Sequence, residues 1–193
     1  MYHYFAMLSR MKHIARWGLM RNVREENLSE HSLETAFIAH ALCVINNTRL
    51  GGKLDADRAA VLSMFHDTTE IITGDLPTPI KYKNEQIKSV YKEIENAAAE
   101  SLLDLLPEDL KGRYAEIYGE KDKELLLIVR AADKISALIK CIEEGRMGND
   151  EFRVAEKSCA AAIEELNCEE ANIFVAEFLD SYRLTLDEMN AGT

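Results

Sequence analysis

Apolar residues recur along this chain at intervals of three and four rather than two, so the pattern predicts helix after helix and no strand. Tyr2 to Ala15 reads as a short amphipathic helix. The stretch NLSEHSLETAFIAHALCVINN predicts a second, with Leu33, Phe37, Leu42 and Val44/Ile45 at roughly helical spacing. Asn27 followed by Glu30 resembles a capping box, with Ser29 as the alternative cap. Asp55 opens a third helix through Ala59, Leu62 and Phe65, ended by Gly74 as a left-handed cap. A loop with two of the chain's 3 prolines follows. Then KNEQIKSVYKEIENAAAESLLDLL predicts a long amphipathic helix stopped by Pro107. Asp122 caps KELLLIVRAADKISALIKCIEEG, which ends at Gly145, and the segments DEFRVAEKSCAAAIEEL and EEANIFVAEFLDSYRLTLDEM predict two more helices. The expected fold is all-α: a single-domain irregular bundle of about seven helices over residues 1–193.

Composition narrows the function classes. With only 9 Gly and 3 Pro in 193 residues, turn-formers are too few for an all-β fold. The net charge of −11, with no run of Lys or Arg, argues against a protein that grips DNA or RNA by its phosphates. A small anionic ligand remains compatible, because one or two local cations or a metal suffice. Cys43, Cys141, Cys159 and Cys168 form no C-x-x-C pair and sit in apolar helical context, as expected for a reduced cytoplasmic protein. No stretch approaches ~20 uncharged apolar residues, so neither a signal peptide nor a membrane span is expected.

Candidate chemistry collects at FHDTTEIITGDLPTP, Phe65 to Pro79. His66 and Asp67 are adjacent at the end of an apolar run, and Glu70 follows one turn later, overhanging the same helix face. His31 lies in the first turn of the second predicted helix. Asp133 interrupts the apolar IVRAADKISAL, where an unpaired carboxylate would be costly. Taken singly, each has a plainer reading: a helix-end polar pair, an exposed carboxylate, a turn former at Asp75, a solvated lysine at Lys81. Together, two imidazoles and two carboxylates on three helices suit a divalent Mn, Fe, Co, Ni or Zn better than Ca. Leu76 and Thr78 each precede a proline and are pushed toward extended backbone, which stiffens the loop carrying Asp75.

The ordered set His31, His66–Asp67 and Asp133, joined to GDLPTP and to the upstream Arg16–Trp17, resembles the HD-domain metal-dependent phosphohydrolases, and more closely their bacterial 5'-deoxynucleotidases. The resemblance spans nearly the whole chain and implies an HD-type helical bundle. It implies that His31, His66, Asp67 and Asp133 hold one divalent cation, cobalt or manganese foremost, with zinc, copper, iron and nickel also compatible. It further implies that metal-bound water attacks phosphorus with Glu70 in proton transfer, and that Arg16 holds the phosphate. Trp17 would stand against the sugar, and Asp75, Leu76, Pro77 and Thr78 would line the nucleoside side, with His31, Asp67 and Asp133 also facing the substrate. The implied substrates are 2'-deoxyribonucleoside 5'-monophosphates with little base selectivity, and the implied assembly is a homodimer. Other HD-type reactions on a phosphoanhydride or cyclic phosphodiester, or a non-catalytic helical module that keeps its metal for stability, are the alternatives.

Overall fold

Asn27 caps the helix that carries the first imidazole, and both halves of the expected capping box form. Its Oδ1 accepts from the N–H of Ser29 and Glu30, while Glu30 accepts from the N–H of Asn27. The computed structural model describes residues 1–81 and 84–191, and the backbone alone at Thr78 and Pro79. Among them, α1 (Tyr4–Leu8) runs into a 3-10 turn (Ser9–His13), and α2 spans Leu28–Ile45. Then come α3 (Ala56–Phe65), α4 (Glu70–Thr73), α5 (Thr78–Lys81), α6 (Glu85–Leu103), α7 (Glu108–Tyr118) and α8 (Lys123–Arg146). The chain ends in α9 (Arg153–Glu165), α10 (Glu169–Phe178), a 3-10 turn (Leu179–Arg183) and α11 (Leu186–Ala191). The described residues form no sheet, only one isolated antiparallel bridge between Ala15 and Asn27.

Helix α8 is the axis. Asp122 caps it as expected, accepting from the N–H of Glu124 and Leu125. Leu125, Ile128, Ile135, Leu138, Ile139 and Ile142 are buried against Ile38, Leu42 and Ile45 of α2, Leu62 of α3, Ile163 of α9 and Phe174 of α10. Burying side chains of this size contributes roughly 1.5–3 kcal/mol each before entropy is subtracted. His31 and Asp133 thereby face one another from the two most buried helices. No helix among the described residues is long and apolar enough to cross a membrane.

The structure corrects several sequence readings. The first predicted helix is short and ends in a 3-10 turn. The third is not continuous to Gly74: α3 stops at Phe65, and residues 66–69 form a turn before α4. There the backbone bonds tighten from i−4 to i−3, as in Thr68 N–H to Phe65 O and Glu70 N–H to Asp67 O, while the Thr68 hydroxyl also donates to Phe65 O. Gly74 has φ 74 and ψ 162, a region open to glycine alone rather than a left-handed helical cap. Pro107 does more than stop a helix: it is the N-cap residue of α7, which the sequence reading lacked. Helix α8 passes through Gly145, and the positive φ falls on Gly148 instead. The last predicted helix is broken into α10, a 3-10 turn and α11. Lys83, expected to open the long helix, lies outside the described residues. On α2, Leu42 and Ile45 are core, but Leu33, Phe37 and Val44 are exposed.

Between the 3-10 turn and α2, the chain from Ala15 to Asn27 has almost no regular structure of its own, and it is fastened at both ends. At its base Arg16 N–H donates to Glu26 O and Leu28 N–H to Ile14 O. At its tip the fully buried Glu144 carboxylate accepts from the N–H of Val23 and Arg24 and from Asn149 Nδ2, and pairs with buried Lys140, which also donates to Arg24 O. Burial opposes the Glu144 charge, but Lys140, Asn149 and the two backbone donors outweigh it and lower its pKa from 4.5 to about 2. A depressed folded-state pKa means stability that is present above pH 4.5 and lost as pH falls toward 2. Glu144→Gln is therefore expected to lower stability at pH 7 by about 2–3 kcal/mol. Urea melts should show the gap to the wild-type chain closing between pH 5 and 2.5, and a gap independent of pH would refute the assignment.

Candidate metal centre and substrate cleft

Four side chains converge where α2, the end of α3 and the middle of α8 meet. One donor atom each from His31, His66 and Asp133 lies within 4.8 Å of the others. Asp67 Oδ2 sits among them, 3.2 Å from His66 Nε2 and 3.5 Å from His31 Nε2, and Asp133 Oδ1 is 3.3 Å from His31 Nε2. His31 is fully buried.

Each imidazole is turned by a contact on its far side. His66 Nδ1 lies 2.7 Å from the Ser63 carbonyl oxygen, which can only accept, so Nδ1 carries the proton. His31 Nδ1 lies 3.0 Å from the Ser136 hydroxyl oxygen. Both Nε2 atoms therefore face inward toward the carboxylates, buried and, among the described residues, without a well-aligned hydrogen bond. Two nitrogen lone pairs directed at carboxylate oxygens need a cation between them. This donor set, two nitrogens and two oxygens without thiolate, fits a divalent first-row ion. In the protein alone a proton does part of that work. Burial opposes a charge on His66, but Asp67 and Asp133 outweigh it and raise its pKa to about 9. For His31, burial and the nearby Arg16 win, and its pKa falls. Asp67 and Asp133 both resist burial and stay well below the usual carboxylate range because of the imidazoles beside them.

Glu70 lies beside this cluster at the start of α4, 5% exposed, with Oε2 buried and without a hydrogen-bond partner among the described residues. Burial, then the charges of Asp67 and Asp75, raise its pKa to about 9 against the pull of Lys81 and Arg16. A cation held among these four side chains would lower it. Lys81 is not a freely solvated lysine: it pairs with Glu95 at 2.8 Å, lies 4.5 Å from the Tyr91 ring centre, and approaches Glu70 to 3.8 Å.

The loop before α2 supplies the other wall. Arg16 Nη1 donates to Asp67 Oδ2 at 3.3 Å and Nε to Glu26 at 3.1 Å. These contacts engage two of its five N–H groups and leave three for an anion. Trp17 packs on Phe152, ring centres 5.3 Å apart, and adopts φ 57, uncommon for a non-glycine residue. Its backbone N–H donates to Asp75 Oδ2 at 3.2 Å, which ties this wall to the proline loop, and its Nε1 is buried without a partner. Leu76 and Pro77 are half-buried beside Asp75, and the side chain of Thr78 lies outside the described residues. The structure thus brings Arg16, Trp17, His31, His66, Asp67, Glu70, Asp75 and Asp133 to one place. Glu26 and Ser136 were missed, because nothing local in the sequence marks a contact across 10 or 105 residues.

A family model, 5'-deoxynucleotidase YfbR-like, matches residues 3–182. This chain belongs to the YfbR-like 5'-deoxynucleotidase family. Within that family, the 5'-deoxynucleotidase YfbR of Salmonella typhi is 48% identical over 190 residues, which covers 97% of this chain and 96% of that protein. The 5'-deoxynucleotidase of Vibrio cholerae is 49% identical over 190 residues, covering 97% and 98%. The YfbR-like chain also shares its fold with an HD-domain phosphohydrolase from Listeria innocua, at TM-score 0.82 and 22% identity over 93% of this chain and 88% of that one. The cyanophage S-2L HD phosphohydrolase DatZ, solved with dA and one catalytic Zn2+ ion, superposes at TM-score 0.67 and 16% identity, covering 91% and 96%. The all-α HD fold expected from the motif order is the fold of this YfbR-like chain.

Proposed function

We propose that this chain hydrolyses 2'-deoxyribonucleoside 5'-monophosphates to the deoxyribonucleoside and phosphate, at a divalent cation held by His31, His66, Asp67 and Asp133. The observation that carries the reading is the pair of buried, unpartnered Nε2 atoms facing two carboxylates, with Glu70 and Arg16 alongside. Cobalt or manganese suits the mixed nitrogen–oxygen set. A bound divalent ion supplies a lowered pKa for water and neutralises phosphoryl oxygens.

The protein's own groups do the rest. Arg16, held by Glu26 and Asp67, turns its three uncommitted N–H donors to the phosphate oxygens. Glu70, buried and with its pKa raised far above an ordinary carboxylate, passes a proton between water and the leaving 5'-oxygen. Asp75, fixed through Trp17 N–H, keeps its second oxygen for a sugar hydroxyl. Trp17 closes the space a 2'-hydroxyl would enter, so a ribonucleotide would bury that group without a partner at about 1–3 kcal/mol. No base-reading group is needed, in keeping with little base selectivity.

Phosphate release from dAMP and TMP, with Co2+ or Mn2+ added, is expected to exceed release from AMP by roughly tenfold to a hundredfold, and 3'-dAMP should not react. Equal rates on AMP would remove the sugar selection and keep the phosphatase. No release from any nucleotide would remove both.

The reading places the enzyme in the cytoplasm, supported by four free cysteines, three of them buried. It also includes a homodimer. Leu33, Phe37 and Val44 are exposed on one face of α2, and a groove lined by Val44, Phe178, Tyr182 and Leu184 adjoins them. Sedimentation showing only monomer at micromolar concentration would rule the dimer out.

A further inference from the structure

Ser136 does more than touch His31. Its hydroxyl donates to Glu34 Oε2 at 2.6 Å, so its proton is committed to that carboxylate and its lone pair faces His31 Nδ1 at 3.0 Å. A lone pair on each atom would repel. His31 therefore carries its proton on Nδ1 and donates it to Ser136, which leaves the Nε2 lone pair on the side of Asp67 and Asp133. Among the described residues the other polar neighbour of Nδ1, Thr35 Oγ1, is at 3.5 Å, a weaker contact than the one with Ser136.

The two imidazoles are thus fixed by different devices. His66 leans on a backbone carbonyl that no substitution can remove. His31 depends on two side chains. Glu34 follows His31 by one turn on α2, and Ser136 follows Asp133 by one turn on α8. The relay therefore runs between the two ligand-bearing helices at the level where their ligands meet.

We propose that Glu34 and Ser136 are positioning residues for the metal centre: a carboxylate, acting through a hydroxyl, holds the His31 ring and strengthens Nε2 as a metal donor. This rests on the metal-centre reading above. Neither residue needs to touch metal or substrate. Polar partners of this kind behind a ligand imidazole typically change metal affinity by about 10–100-fold.

The test uses the full-length chain stripped of metal, with Zn2+ titrated in competition with a chromophoric chelator. Ser136→Ala and Glu34→Ala are expected to weaken Zn2+ binding by about 10–100-fold. Glu34→Gln, whose amide oxygen still accepts from the Ser136 hydroxyl, is expected to stay within a few-fold of wild type. Urea melts of the metal-free chains should show the Glu34→Ala midpoint unchanged. Ser136 is fully buried. If Ser136→Ala fails to fold, the half-buried Glu34 pair of variants decides the matter alone. Wild-type affinity in Glu34→Ala overturns the proposal. So does a Glu34→Gln chain no better than Glu34→Ala, or a weakened site matched by a lower metal-free urea midpoint. His66→Ala separates the two levels of inference. If it loses Zn2+ while Glu34→Ala keeps it, only the relay fails. If the wild-type chain holds no Zn2+ either, the metal centre falls and takes the relay with it.

Discussion

Glu70→Ala is expected to stop turnover of a deoxynucleotide while the chain still folds, binds its metal and retains the nucleotide. The carboxyl is almost fully buried, Oε2 has no hydrogen-bond partner among the described residues, and Oε1 only approaches Lys81 to 3.8 Å, so its removal breaks little of the fold. On the proposed reading, what disappears is a proton carrier. Burial and the charges of Asp67 and Asp75 give Glu70 a pKa of about 9 in the metal-free chain, far above an ordinary carboxylate. General acid–base assistance of this kind contributes about 10²–10⁴-fold, and kcat should fall by that factor with metal content unchanged. Metal analysis beside steady-state kinetics makes the check. A variant that loses its metal would move Glu70 into the ligand set, and one that keeps wild-type kcat would take it out of the chemistry.

Asp67→Ala should have the broadest effect of any single change, because one oxygen serves three neighbours. Asp67 Oδ2 meets His66, His31 and Arg16 at 3.2, 3.5 and 3.3 Å. On the proposed reading the centre then loses an anionic ligand, while the His66 proton loses its strongest support and, among the described residues, the Arg16 guanidinium keeps Glu26 to hold it. Metal affinity is expected to drop by more than the ~100-fold typical of a residue behind a ligand, with activity lost even at high added Mn2+. Dialysis followed by metal analysis tests the first part, and rates at saturating Mn2+ test the second. Recovery of full activity at high Mn2+ would show that Asp67 only strengthens binding and takes no part in holding Arg16. By contrast, a chain that keeps its metal through dialysis would show that Asp67 is no ligand at all.

The parts of this design that were readable in the sequence are those whose signal is local or whose cost is high. Asn27 with Glu30 and Asp122 before its apolar run announce helix starts through a few adjacent residues. Asp133 stands out because a carboxylate amid apolar neighbours demands a partner. The interruption at residues 66–69 was not readable. It replaces one hydrogen-bond register with another and leaves the composition of a helix. Helix α7 was missed although Leu110, Tyr114, Ile117 and Tyr118 keep helical spacing, because the stripe is short, only partly buried and starts at a proline that reads as a helix stop. Leu33 and Phe37 carry the spacing of a core face yet point outward, since the face that packs is the one holding Leu28, His31, Thr35 and Leu42. Glu26, Glu34 and Ser136 gain their meaning only from partners that folding brings near.

Helix α8 carries Asp133 at its middle and, about three turns or ~16 Å further on, the Glu144 that anchors the Arg16–Trp17 loop. A helix transmits rotation along its length with little loss. Any substitution that rolls or slides this rod, even from the far surface, is therefore expected to displace Asp133 and the anchor of the Arg16–Trp17 loop by coordinated amounts. Metal affinity and nucleotide affinity should change together in variants that shift α8 as a body, unlike a local change such as Ser136→Ala, which acts on the metal centre alone.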